Sequence, residues 1–117
     1  MAVGIVGGTV SASAYLNFNA QTGTTYTLVA ADAENKLVTL SNASAITLTV
    51  PPSVFTAGQQ INIAQIGAGQ VTLAAGSGVT ITSTGATAAA PKLRAQYSAG
   101  TIVCTASNTF LVIGDLA

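Results

Sequence analysis

Apolar and polar residues alternate along most of this chain with a period of two. Tyr26-Thr27-Leu28-Val29, Lys36-Leu37-Val38-Thr39-Leu40, Ile46-Thr47-Leu48-Thr49-Val50 and Gln60-Ile61-Asn62-Ile63-Ala64-Gln65-Ile66 show it first. Gln70-Val71-Thr72-Leu73, Val79-Thr80-Ile81-Thr82, Lys92-Leu93-Arg94-Ala95-Gln96-Tyr97, Thr101-Ile102-Val103-Cys104-Thr105 and Phe110-Leu111-Val112-Ile113 follow. Runs rich in Val, Ile, Leu and Thr, bounded by Gly, Asn, Ser and Pro, are short β-strands. No helical stripe competes, and Ala30 to Lys36 is too short for more than a turn. Strands spaced by about 8–12 residues predict an all-β fold, an antiparallel β-sandwich or jelly-roll-like barrel of about eight to nine short strands.

The turn residues fit that expectation. Gly67-Ala68-Gly69 and Gly76-Ser77-Gly78 read as hairpin connections, with glycine supplying positive φ. Asn42-Ala43-Ser44 and Ser107-Asn108 read the same way, and Pro51-Pro52 ends a strand because proline cannot donate to a ladder. Gly85 to Pro91 is a surface loop of low information. Residues 1–25 differ from the rest, being Gly- and Ser-rich with scattered apolar groups. They read as an extended N-terminal arm ahead of a β-domain at 26–117, an arm that orders against a neighbour.

Composition changes the picture most through what is missing. Charged residues make up 5% of the 117 residues and histidine is absent, against roughly 25% charged in an ordinary soluble domain. Three basic and three acidic residues cancel. Near-neutral surfaces associate, so the chain reads as a subunit of an assembly. Three basic residues cannot neutralise a phosphate backbone, which argues against nucleic acid. No apolar run is long enough for a spanning helix, and tryptophan and aromatic girdles are missing, so no membrane role is expected. The first Lys is Lys36, leaving no basic region for a secretory signal. A lone Cys104 then suggests a reducing compartment or indifference to redox, and the sequon-like Asn42-Ala43-Ser44 carries no weight.

Chemistry has little to work with. Asp32 and Glu34, followed by Lys36, could offer oxygen ligands to a divalent cation, but such a site wants six or more oxygens. A solvated turn with local ion pairing is the better reading. Cys104 has no histidine to activate it and belongs in the core. The Gly-x-Gly turns lack the context of a phosphate loop. The chain is therefore expected to be no enzyme, with no cofactor and no metal. Lys92 and Arg94 share one strand face and Asp115 follows the last strand. They read either as an ion pair between strands or subunits that fixes register, or as solubilising charges on an edge.

One resemblance rests on an ordered set of motifs. These are Tyr26-Thr27-Leu28 with Ala31-Asp32-Ala33, then Asn42-Ala43-Ser44-Ala45-Ile46-Thr47-Leu48-Thr49-Val50-Pro51-Pro52. Ile66-Gly67-Ala68-Gly69-Gln70-Val71-Thr72, Ala75-Gly76-Ser77-Gly78-Val79-Thr80-Ile81, Leu93-Arg94-Ala95-Gln96-Tyr97-Ser98-Ala99 and Gly114-Asp115-Leu116 complete it. In these the chain resembles a small β-domain of tailed-bacteriophage virion surface proteins, which include capsid decoration (cement) proteins and tail-fibre ends. The resemblance implies a compact β-fold at the virion surface, commonly trimeric, and no enzyme. A short arm in place of an adaptor and shaft favours a decoration protein that binds the capsid surface as a homotrimer and stabilises contacts between major capsid subunits. The alternative is a tail-fibre or surface domain that recognises a host receptor or glycan. Residues expected at capsid or inter-subunit contacts are Val3, Ile5, Val6, Tyr15, Leu16, Phe18, Lys92, Arg94 and Asp115.

Overall fold

The computed structural model describes residues 15–84 and 89–117. Nine strands form, eight of them where the alternation predicts them: β1 (Asn17–Gln21), β2 (Thr25–Thr27), β3 (Lys36–Leu40), β4 (Ile46–Val50), β5 (Gln60–Gln65), β6 (Val71–Ala75), β7 (Thr80–Ser83), β8 (Ala99–Ala106) and β9 (Thr109–Gly114); β1 lies in the stretch read as an arm, and the strand expected at Lys92 to Tyr97 is reduced to single bridges at Lys92 and Leu93. The only helical element among the described residues is a 3-10 turn at Ala30–Ala33. All-β is thus correct. The antiparallel sandwich or jelly-roll-like barrel is not.

The chain winds as a β-solenoid. β1, β3 and β5 stack in parallel in one sheet (sheet A), while β2, β4 and β6 stack in parallel in a second (sheet B). Each coil lays down one strand in A, turns a corner, and lays down one in B. After three coils, the hairpin β8–β9 pairs antiparallel onto β5, and β7 joins β9 in parallel. Sheet A therefore runs β1-β3-β5-β8-β9-β7 and sheet B runs β2-β4-β6.

The correction has a local cause. Short alternating strands separated by turn residues suit a hairpin and a solenoid corner equally well; only the neighbour decides. Ser107-Asn108 does close a hairpin, β8 to β9. Asn42-Ala43-Ser44 and Gly67-Ala68-Gly69 instead carry the chain from sheet A to sheet B, and they stack on each other. A Cβ on Gly69 would stand 1.9 Å from the Ser44 carbonyl oxygen, so glycine here serves close approach of two backbones. The Gly69 amide donates to the Asn42 carbonyl at 2.8 Å, and Asn42 Nδ2 donates to the Thr22 carbonyl of the coil before at 2.8 Å. Gly76 likewise lies beneath the preceding corner, its amide donating to the Val50 carbonyl at 2.9 Å.

The core fills the space between the sheets. Val38, Leu40, Ile61 and Ile63 from sheet A meet Ile46, Leu48, Val50, Val71 and Leu73 from sheet B, all buried. Phe55 and Phe110 close it edge to face, ring centroids 6.1 Å apart. Each such side chain contributes about 1.5–3 kcal/mol on burial.

The two ends of the stack differ. At the far end, Pro91 to Leu93 lies along β6: the Leu73 amide donates to the Pro91 carbonyl and the Leu93 amide to the Val71 carbonyl. At the near end, β1 and β2 are the outermost strands of their sheets among the described residues. There the inward positions turn polar. Asp32, 1% exposed, accepts bonds from Asn19 Nδ2 (2.8 Å), the Tyr26 hydroxyl (2.7 Å) and the Val29 amide (2.9 Å). Asn19 in turn accepts from Gln21 Nε2. A terminal solenoid repeat needs such a polar lid where no further coil covers its core, and among the described residues none lies beyond β1 and β2.

Candidate association interface

The sheets place the sequence's few charges away from both broad faces. Asp32 and Glu34 lie in the 3-10 turn and at its end, Lys36 opens β3, Lys92 and Arg94 sit in the strip along β6, and Asp115 follows β9. Among the described residues, no charged side chain occupies an outward position of either sheet's middle.

The reading of Asp32 as part of a solvated turn is corrected: it is buried and fully bonded, organising the polar lid. Its hydrogen bond and the burial of the ring, burial being the larger cause, push the Tyr26 phenol up to about 12. Asp32 does not gather with other ligands; no cluster of three metal-binding side chains exists among the described residues. Cys104 is buried in β8, its thiol directed at the Ala106 carbonyl at 3.2 Å.

Arg94 and Asp115 meet within one chain. The guanidinium donates to both carboxylate oxygens at 2.8 Å, and Ser98 Oγ adds a third bond at 2.7 Å. The Arg94 bonds, then that of Ser98, hold the Asp115 carboxyl down at about 2. The same contact raises the Arg94 guanidinium further above its ordinary range. With the Arg94 amide on the Asp115 carbonyl and the Ala117 amide on the Lys92 carbonyl, this pair pins the chain's last residues to the strip along β6. Of these charges, Arg94 and Asp115 pair within the chain, between the strip along β6 and the segment after β9, and Lys92 takes no part in that pair.

The broad outer faces are the notable surfaces. On sheet B, Thr25, Thr47 and Thr72 oppose one another in register, and Thr27 opposes Thr49. On sheet A, Phe18 and Leu37 oppose each other, and Leu111 and Ile113 point outward beside Val103 and Thr101. Phe18 is 68% exposed and Ile113 53%. An exposed groove of about 500 Å³ crosses this face from Leu16 over Leu37, Asn62 and Thr101 to Ile113. Within it, Thr101 Oγ1 donates to Asn62 Oδ1 at 2.8 Å.

The expected contact residues divide accordingly. Leu16 and Phe18 belong to this apolar face, and Tyr15 stands exposed at its margin. Lys92, Arg94 and Asp115 lie elsewhere, in the strip. Val3, Ile5 and Val6 lie outside the described residues. β1 (Asn17–Gln21) falls within the stretch read as an arm and is the first strand of the solenoid, bonded to β3. Leu37, Asn62, Thr101, Leu111 and Ile113 were missed. The signal was available in Phe110-Leu111-Val112-Ile113, where alternation fails: Phe110 and Val112 fill the core, leaving two more large apolar groups for the other face.

No protein-family profile matches the chain, and no curated protein matches it.

Proposed function

We propose that this chain is a non-catalytic structural subunit of a virion, a capsid decoration protein that acts as a homotrimer on the major capsid protein. The single observation that carries the assembly part is the outer face of sheet A. Exposed apolar surface marks an interaction site. Phe18 and Leu37 on β1 and β3, and Leu111 and Ile113 on β9, present apolar groups on this face with no charge among them, on either side of Asn62 and Thr101. The virion and capsid part rests on the motif resemblance, from Tyr26-Thr27-Leu28 through Gly114-Asp115-Leu116.

Adding the purified chain to capsid shells tests the reading. Stoichiometric binding, with trimers in solution that persist from low to high salt, is expected, because burial and not ion pairing drives such contacts. Shells that take up none of it, or a chain that stays monomeric at tens of micromolar, would sink it.

A tail-fibre or receptor-binding role has one observation in its favour. Tyr97 is 73% exposed with φ of 71°, its amide held on the Gln65 carbonyl at 2.6 Å. An exposed ring beside polar Gln96 suits a sugar. Glycan binding lost on Tyr97→Ala, with no affinity for capsids, would favour this second reading.

A further inference from the structure

We infer that the strip from Pro91 to Arg94, buckled down by residues 115–117, is an edge guard that keeps a second copy of this chain from adding a strand to sheet B. The inference goes beyond the capsid reading and does not depend on it. Three observations carry it.

The first is that β6 is patterned for pairing on its far side. Val71-Thr72-Leu73 repeats the pattern of Ile46-Thr47-Leu48, and β4 takes a parallel partner on the corresponding side, which is β6 itself. An edge of the same pattern is a template for one more strand. Gln70 to Ala75 is uncharged and free of proline, with Val, Thr and Leu at its centre. Segments of that composition add to one another in open-ended sheets.

The second is what occupies the edge. The Leu73 amide donates to the Pro91 carbonyl at 2.8 Å, and the Leu93 amide donates to the Val71 carbonyl at 3.0 Å. The Val71 amide is taken within the chain by Gln65 Oε1 at 3.0 Å, and Gln70 Nε2 donates to the Leu93 carbonyl at 3.0 Å. Leu93 is buried, which anchors the strip inward. On its other side, the Arg94 amide donates to the Asp115 carbonyl at 3.0 Å and the Ala117 amide to the Lys92 carbonyl at 2.9 Å. The strip is thus a short row held between β6 and an outer row at 115–117.

The third is where the charge lies. Lys92 and Arg94 are two of the chain's three basic residues, and Asp115 is one of its three acidic ones. Half of a very small set of charges stands at this one edge. Charged side chains, proline and short rows are the means by which native sheets blunt an edge, and Pro91, Lys92 and Arg94 bring them together in one strip. An added strand would have to displace the strip and the Arg94–Asp115 pair that crosses it.

Opening the buckle in the full chain tests this. Arg94→Thr with Asp115→Thr and Ala117→Pro removes the ion pair and the amide that reaches the Lys92 carbonyl. Glu34→Thr with Lys36→Thr removes one charge of each sign elsewhere and is the control. Hydrogen exchange at the Leu73 amide is expected to quicken about tenfold in the first variant while the amides of β4 stay protected. That variant alone is expected to grow thioflavin-binding fibrils. Equal growth of both variants would assign the effect to lost charge, faster exchange without growth would mean that nothing adds to β6, and unchanged exchange would mean that the buckle does not hold the strip. Each of these overturns the inference. Ala117→Pro alone, which leaves every charge in place, covers the case in which the triple variant unfolds. It should show the same selective opening and slower growth. If β4 loses protection together with Leu73 there too, the edge never opens apart from the core and there is no separate guard.

Discussion

Sheets A and B share one core and one winding, yet their outer faces are opposites. Sheet B presents threonines in register, Thr25-Thr47-Thr72 and Thr27-Thr49, whose hydroxyls keep the face wetted while their branched Cβ suits the strand. Sheet A presents Phe18, Leu37, Leu111 and Ile113. Neither face carries charge, so charge does not distinguish them; the outward side chain does. Two faces built on the same backbone can thus be assigned opposite solvents, and in this chain only one of them is suited to stay in water.

The largest expected effect comes from breaking the frame that holds both faces. Gly69→Ala places a methyl against the Ser44 carbonyl at the stacked corner, where only backbone could yield. We expect a loss of about 3–5 kcal/mol in urea unfolding and the disappearance of both faces together. A stable, folded variant would mean that the corners are not what couples the sheets.

Next comes the contrast itself. Ile113→Lys should abolish self-association in sedimentation, whereas Thr47→Lys on sheet B should leave it intact and change stability by no more than about 0.5 kcal/mol. Equal effects of the two on association would erase the distinction between the faces.

A smaller effect belongs to the polar lid beneath β1 and β2. Tyr26 titrates at about 12 in the fold and about 10 unfolded. The unfolded chain therefore releases its proton first as pH rises. The lid's contribution is complete below pH 10 and is lost between 10 and 12. Because the ring is partly exposed, solvent screening brings this to about 1 kcal/mol. Tyr26→Phe should flatten that alkaline slope in thermal melts while leaving association unchanged.

Least of all should follow from the Arg94–Asp115 pair, which is exposed. The Asp115 carboxyl is held at about 2, so its stabilisation is present above pH 4 and lost as pH falls toward 2. Asp115→Asn should remove that acid slope and lower the melting midpoint at pH 7 slightly, by no more than the unaltered chain loses between pH 4 and pH 2. A large drop at pH 7 would show that the strip along β6 depends on the pair.

Much of the local structure was legible because alternation is a local property. Ile46-Thr47-Leu48-Thr49-Val50 states its own burial, and β4 buries the three apolar residues it announces. Pairing is not local: nothing within Gly67-Ala68-Gly69 says whether the next strand returns beside the last or crosses to another sheet. The one clue lay at longer range, in the recurrence of Ile46-Thr47-Leu48 as Val71-Thr72-Leu73, one turn of the solenoid later. The apolar face of sheet A was half legible. Leu16 and Phe18 stood out as apolar groups in a polar stretch, but Leu37 and Ile113 hid among core strands that seemed fully explained by the interior. Asp32 was misjudged because an acidic residue in a turn signals solvent, and only the fold brings Asn19 and Tyr26 to it.

The constant register of the later coils has a consequence for length. Leu37 opposes Asn62 and Ile46 opposes Val71, the same 25-residue step in both sheets (62 − 37 and 71 − 46). Copying one such step into the chain would add a rung of about 4.8 Å to each sheet without disturbing the lid above or the strip below. Size in this architecture is a counter that can be advanced by whole turns, and each advance widens the threonine face and the apolar face by the same one strand.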